Sequence, residues 1–367
     1  MSAPFEIPRG RLRLEPKERA TLQARIVVPV ASVLTATLAG ALVLTIDGHS
    51  PLEAYAELLR SAFGGRNPLV RTLLLSTPLV FTALAAAVSF RMRIWNIGGD
   101  GQLMMGAVAA SGVAIALPQS PFWVLIPAIM VAGIVGGMVW AGIGAALKVF
   151  FSTDEVISTL MLTFIATHFM EYLIFGSFSY WRDPESVAYA TGKPIPEIAE
   201  LPRFWGRLHV GFLIAVVAAV LVWWVLKSTR WGYETKVIGD SPAAGRYAGM
   251  SVSRNIIAVL CVSGALAGLG GAVEVAGVNH TLQPTALETG VGFTGIIAAS
   301  MARLHPLMLV PVAVFLSGLV SSGTALQQMG IPIDIVLLLQ GLVLLFVAAG
   351  EFFLRYRITL GARSRPA

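Results

Sequence analysis

Trp95-Asn96-Ile97-Gly98-Gly99-Asp100-Gly101-Gln102-Leu103 sets three glycines, two side-chain amides and a carboxylate against an apolar run that continues to Leu117. Each glycine costs a helix interior about 1 kcal/mol relative to alanine, so the stretch predicts an unwound or closely packed backbone. Asp100 facing hydrocarbon would cost roughly 2.5 to 3.5 kcal/mol on insertion scales, so it is expected to look into a helix bundle or a water-filled path. The other reading is a cytoplasmic turn between two spans. The surrounding chain bears on the choice.

Of the 367 residues 56% are hydrophobic and 13% charged, with a mean hydropathy of +0.76. That is too apolar for a soluble domain of this size and fits a multi-span membrane protein. The single cysteine, Cys261, lies in an apolar run and excludes an intrachain disulfide. A net charge of +6 would suit a nucleic-acid partner, but the basic residues sit at the edges of apolar runs, and no nucleic acid is expected.

Ten apolar runs follow one another: 26–46, 72–90, 97–117, 122–147, 156–175, 210–226, 256–276, 291–302, 306–326 and 331–350. A spanning helix needs about 20 residues, so 291–302 is too short alone and is expected to pair with a broken segment in 277–290. The first run is longer than the apolar core of a signal peptide, and no small-residue cleavage site follows it. The resulting expectation is an all-α polytopic protein of about ten transmembrane helices. Residues 1–25 form a basic cytoplasmic arm, 26–350 one transmembrane domain and 351–367 a basic cytoplasmic tail.

Ten spans put both termini on one side, and the basic residues test this. On the side of the termini lie 19 of the 26, and 7 lie on the other, the asymmetry that marks a cytoplasmic face. Two loops stand out. The outer loop 177–208 is rich in proline and aromatics, including Tyr180, Trp181, Pro184, Pro194, Pro196, Pro202 and Trp205, as a compact cap or docking surface would be. The inner loop 227–255 carries Asp240 and Ser241, either of which can cap, then Pro242, Ala243, Ala244, Gly245, Arg246, Tyr247 and a stop at Gly249, and predicts one short helix on the inner face.

A second glycine-interrupted stretch, Gly290-Val291-Gly292-Phe293-Thr294-Gly295, opens the eighth run. It matches G-x-G-x-x-G, but no strand precedes it and no βαβ unit surrounds it, which excludes a dinucleotide fingerprint. The first break opens the third run and this one opens the eighth, five spans later and in the opposite sense. That spacing predicts an inverted repeat of spans 1–5 and 6–10, with the central site of a transporter between the breaks.

At this point the residues resemble a known family. Asn96 to Gln102 is similar to the N-I-G-x-E-G-Q motif of permease subunits in bacterial ABC importers for simple sugars, nucleosides and branched-chain amino acids. Asp154-Glu155-Val156-Ile157-Ser158-Thr159-Leu160-Met161-Leu162 resembles the family's N-E-V-I-x-T-I-M-L, residues 239–249 its A-A-R-Y-A-G loop, and 290–306 its G-x-G-F-T-G…G-R-x-H-P segment. The resemblance runs from about residue 70 to about 350 and looks most like nucleoside permeases. Asp100 stands where glutamate is usual, and Asp154 where asparagine is usual. The resemblance implies a bacterial inner-membrane pore of two permeases, a second copy or a homologue. It also implies two separate ABC ATPase subunits and an extracytoplasmic solute-binding lipoprotein or periplasmic protein. An ion-coupled secondary transporter is the alternative that the paired breaks would also suit.

No G-x-x-x-x-G-K-[ST] occurs, so ATP and magnesium are expected on the partner, and this chain is expected to be a transport subunit without catalytic residues or a cofactor. The five histidines lack metal-site spacing, and His168 with Glu171 reads as a hydrogen-bonded pair. The expected substrate path holds Asn96, Asp100, Gln102, Glu155, Glu274, Phe293 and Thr294, with helix breaks at Gly98, Gly99, Gly101, Gly290, Gly292 and Gly295. The expected ATPase-coupling residues are Ser241, Pro242, Ala243, Ala244, Arg246, Tyr247 and Gly249. Gly133-x-x-x-Gly137 and Gly264-x-x-x-Gly268 read as helix-packing faces.

Overall fold

The computed structural model describes residues 12–16, 22–176, 180–186, 191–287 and 290–360. β1 (Leu12–Pro16) precedes α1 (Leu22–Ile46), whose chain turns through 120° into the amphipathic α2 (Pro51–Phe63). Then come α3 (Arg66–Arg91), α4 (Gly99–Ala116), α5 (Phe122–Phe151) and α6 (Glu155–Phe175). A short hairpin of β2 (Arg203–Trp205) and β3 (Leu208–His209) leads into α7 (Gly211–Ser228), α8 (Arg230–Asp240), α9 (Pro242–Tyr247) and α10 (Val252–Glu274). α10 ends in a π turn, Val275–Asn279, and is followed by α11 (Pro284–Leu287), α12 (Val291–Met301), α13 (Pro306–Gln328), α14 (Ile333–Arg355) and β4 (Tyr356–Leu360).

Each of the ten apolar runs is helical over most of its length, and the chain is an all-α polytopic membrane protein. Among the described residues six helices, α3, α5, α6, α7, α13 and α10 with its π turn, are long and apolar enough to cross a bilayer, and the bent pair α1–α2 would make a seventh. The other runs fall short of that measure for definite reasons. α4 spends its first turn on Gly99, Asp100, Gly101 and Gln102, and α12 has only 11 residues. α2 had no counterpart in the ten runs, because Glu53, Glu57 and Arg60 break its hydropathy.

The chain falls into two compact units, Met1–Glu57 with Gly323–Ala367, and Leu58–Ser322. In the first, α1 packs on α14, Tyr55 donates its hydroxyl to the Thr37 carbonyl at 2.7 Å, and β1 pairs antiparallel with β4, Leu12 opposite Leu360 and Pro16 opposite Tyr356. The arm and tail, read from sequence as separate basic segments, are thus joined through a strand pair; Leu12 and Leu14 alternate with Arg13 and Glu15 at the period of a strand.

In the second unit α3 is the central helix, with 83% of its apolar window buried against 22% for α5. Around it α10 packs on both α4 and α5. The two small-residue motifs meet each other at this contact. A β-carbon on Gly137 would lie 2.7 Å from Gly268 Cα, and one on Gly133 2.8 Å from Gly268 O, so α5 and α10 touch backbone to backbone. Such approach is what small residues permit where lipid supplies no hydrophobic drive between helices. Polar side chains then fasten α3 to its neighbours. Ser263 of α10 donates to Ala85 O at 2.7 Å, and Thr82 donates to Val291 O at 3.0 Å.

Candidate functional site

The site grows from the two glycine breaks. After α3 the chain turns at Arg93, a left-handed residue with φ 58°, and runs unwound through Ile94 to Ile97 before α4 begins. Asn96 Oδ1 accepts the Gly98 N–H at 3.0 Å, a local bond that replaces the missing helical one. Its amide also pairs with that of Gln102, Asn96 Nδ2 donating to Gln102 Oε1 at 3.1 Å and Gln102 Nε2 to Asn96 Oδ1 at 3.0 Å. Asn96 Nδ2 further donates to Ser263 Oγ at 2.8 Å, and Ile97 N–H to Thr159 Oγ1 at 3.1 Å. The break is therefore clasped to α10 and α6, and Asn96 and Gln102 are both buried.

The second break arrives at the same place. Gly290, left-handed with φ 65°, opens α12, and Gly292 N–H donates to Asp100 Oδ1 at 2.6 Å. A β-carbon on Gly99 would sit 3.4 Å from Gly292 Cα, so the two breaks lie in direct contact. Asp100 forms no ion pair among the described residues. Its carboxyl group lies instead in the first turn of α4 and against the first turn of α12, whose leading backbone N–H groups have no partner within their own helix.

The remaining expected path residues divide. Phe293 is exposed, while Thr294 donates its hydroxyl back to Gly290 O at 3.1 Å. Glu155 is ion-paired with Lys148 across the turn from α5 to α6, where a cation ends one helix and a carboxylate begins the next. Glu274, at the junction of α10 and its π turn, is half-buried and makes no hydrogen bond or ion pair among the described residues. The structure thus brings Asn96, Asp100, Gln102 and Gly292 together and leaves Glu155 and Glu274 outside that cluster. Of the hydroxyls that complete it, Thr159 stands in the motif stretch 154–162, whereas Ser263 and Thr82 carry no local signal, since an isolated hydroxyl in an apolar run reads the same at any position.

Asp154 has a plain role. Its carboxylate accepts from Val156 N at 2.9 Å and Ile157 N at 3.1 Å as the N-cap of α6, and aspartate caps as well as the asparagine usual in the related motif.

The inner segment 227–255 holds two helices, not the single one expected. Thr229 caps α8 by accepting Gly232 N–H at 3.1 Å, and Glu234 accepts from Asn255 Nδ2 at 3.1 Å and Arg230 Nε at 2.8 Å. These hydrogen bonds, the Asn255 one first, hold the Glu234 carboxyl below its usual range and fasten α8 to α10. The Thr-x-x-Gly start and the Arg230–Glu234 pair were legible signals for α8. α9 lies where the caps place it. Ser241 Oγ accepts Ala244 N–H at 3.2 Å, Gly249 (φ 76°) ends the helix, Gly245 packs on Ile238 of α8, and Tyr247 is 97% exposed.

On the opposite side the described part of the outer loop straps the π turn. Gly192 N–H donates to Leu282 O at 2.9 Å, Ile195 N–H to His280 O at 2.8 Å and Leu201 N–H to Ala276 O at 2.8 Å. His209 is fully buried beneath it and accepts Gly211 N–H on Nδ1 at 3.1 Å. Burial first, then the charges of His280 and Arg203, lower its pKa to about 4. His168 and Glu171 pair at 2.9 Å.

Known proteins agree with this frame. Residues 69–348 match the family model described as branched-chain amino acid transport system, permease component. The chain is 33% identical to a glucose ABC transporter permease protein of Haloferax volcanii over 95% of this chain and 93% of that one. It is 31% identical to a guanosine ABC transporter permease protein of Bacillus subtilis, over 89% and 94%. Identity is 30% to a nucleoside ABC transporter permease protein of Lactococcus lactis, over 88% and 91%. With 280 of its 367 residues, 69–348, inside one matched model and relatives aligned nearly end to end, the chain belongs to this family of ABC transporter permeases.

Proposed function

We propose that this chain forms the translocation path of an ABC importer for nucleosides. The observation that carries the reading is its end-to-end likeness to the guanosine and nucleoside permeases of two bacteria. A sugar is the second reading, favoured by the glucose permease of Haloferax volcanii at 33% identity. Energy comes from partner subunits that hold ATP and magnesium, since the chain has no phosphate-cradling motif. A second permease copy or homologue completes the pore, an extracytoplasmic binding protein delivers the solute, and both termini lie in the cytoplasm of an inner-membrane protein.

In this reading the contact between the breaks is a fixed strut of the path. Asp100 and the Asn96–Gln102 pair hold α4 and α12 in register, while Phe293 and Glu274 are the groups with free surface or free valence to meet solute. α9 receives the ATPase, its small residues seating in a groove and Arg246 and the exposed Tyr247 making the specific contacts. Uptake of labelled guanosine and of labelled glucose, in cells lacking their own carriers and expressing the full importer, tests the choice. Guanosine accumulation that excess nucleoside abolishes and excess glucose leaves intact is the expected result; the reverse pattern selects the sugar.

A further inference from the structure

A cavity of about 480 Å³ lies where α3, α7 and α8 meet the turn before α13, and every charged residue lining it is basic. Two of its cations have an ordinary structural reason. Arg91 and Lys227 occupy the last turns of α3 and α7, where a helix favours positive charge. Arg91 Nη2 donates to Leu226 O at 3.3 Å, and Lys227 Nζ lies 4.8 Å from the Trp223 ring. Arg303 follows the C-cap of α12 and Lys236 lies midway along α8; both side chains are exposed, and neither side chain forms an ion pair or hydrogen bond among the described residues. Arg303 and Leu304 are consecutive non-glycine residues in the left-handed region, with φ 52° and 58°, an unfavourable backbone that carries the guanidinium to the cavity. Arg91 Nε is buried with no acceptor at all. Four cations around one space repel one another unless an anion sits between them.

The surroundings say which kind of anion. The cavity lies at the ends of three spans, on the face that the basic-residue count assigns to the cytoplasm, and Trp223 and Tyr233 give it the amphipathic rings typical of the headgroup level. A phosphate carried on a lipid would lie at this headgroup level among the cations and beside the Trp223 and Tyr233 rings, which a free phosphate has no need of. We propose that this cavity binds the phosphate headgroup of an anionic phospholipid, with Lys236 and Arg303 as its principal charge partners. Basic pockets between spans at the cytoplasmic face recognise such headgroups by the same charge complementarity.

The test uses the full-length protein in nanodiscs of phosphatidylcholine with phosphatidylglycerol, followed by gentle detergent extraction and native mass spectrometry of the retained lipid. Wild type is expected to keep phosphatidylglycerol in preference to phosphatidylcholine, and Lys236→Gln with Arg303→Gln to weaken that retention roughly thirtyfold, as loss of two near-surface charges implies. Inorganic phosphate in excess should not displace the lipid. Equal retention by the double variant, or equal retention of the two lipids by wild type, would overturn the proposal. Displacement by inorganic phosphate would overturn it too, in favour of a soluble anion. Should the double variant fail to elute as a folded species, photo-crosslinking of a phosphatidylglycerol analogue to wild type decides the matter. Labels within 223–236 and 303–306 support the site, and labels confined elsewhere contradict it.

Discussion

The carboxylate of Asp100 accepts the backbone N–H of Gly292 at 2.6 Å, joining the first turns of two short helices that stand 192 residues apart in the chain. No side-chain substitute at position 292 is possible without moving that carboxylate, because a β-carbon there would lie 2.7 Å from Asp100 Cγ. Removing the acceptor leaves a buried N–H unpaired, at about 1 to 3 kcal/mol. Asp100→Ala is therefore expected to lower the melting temperature and cut uptake at equal expression, whereas Asp100→Asn, which keeps an oxygen in place, should retain more of both. Wild-type uptake and stability in Asp100→Ala would remove the strut from the mechanism.

The amide clasp predicts non-additivity. Asn96→Ala strands the Gln102 amide and the Gly98 N–H, and Gln102→Ala takes one partner from each end of the Asn96 amide, so each single change is expected to cost about 1 to 3 kcal/mol. The double variant should cost clearly less than the two together, as residues of one network do. Denaturation of the four proteins in detergent checks this, and additive losses would mean that the two amides act separately.

The contact of α5 with α10 predicts a sharp contrast among glycines on one helix. Gly137→Ala pushes a methyl into the backbone of Gly268 and is expected to destabilise by about 1 to 3 kcal/mol or more. Gly142→Ala meets only Cys261 Sγ at 3.7 Å, an ordinary contact, and should be close to neutral. Thermal unfolding monitored by fluorescent size-exclusion separates the two.

The helices were legible in the sequence because hydropathy and caps are local. Ser241, Pro242 and Gly249 bracket α9, which runs from Pro242 to Tyr247, and Gly98 to Gly101 mark the first break. That the two breaks touch was not legible: only the tertiary packing on α3 and α10 brings Gly292 to Asp100. The sequence also underspecified the polar residues. Asn96, Asp100 and Gln102 read as groups facing a path, yet in the fold a neighbouring backbone or amide bonds to each one. α2 and α8 were missed because both are amphipathic and short, and their signals lie in capping and charge pairs rather than in a long apolar run.

Acid should loosen the outer strap. His209 is held neutral, with a pKa of about 4 against an ordinary 6.5, so the unfolded loop binds a proton that the folded one refuses. The stability this contributes is present above about 6.5 and is lost as pH falls from there towards 4, on the order of 3 kcal/mol in total. Hydrogen exchange across 191–209 is expected to quicken over that range in wild type and to change little in His209→Asn. Equal acid sensitivity in both would place the effect elsewhere.

If α9 receives the ATPase, Arg246→Glu should lower co-purification of that subunit and cut uptake by an order of magnitude or more, while the spans keep their melting temperature. Ser241→Ala, which removes only the cap, should weaken the helix by about 0.5 to 2 kcal/mol and give a partial version of the same loss. Full co-purification and uptake in Arg246→Glu would make α9 an ordinary connecting helix.

The most direct measurement is the ATPase rate of the complete importer in proteoliposomes, with its binding protein present, as nucleosides, free bases and sugars are added in turn. Nucleosides raising the rate several-fold, with sugars without effect and no stimulation in the Arg246→Glu complex, is the predicted result. Stimulation by sugars alone, or solute uptake that runs on an ion gradient without ATP, would contradict the account.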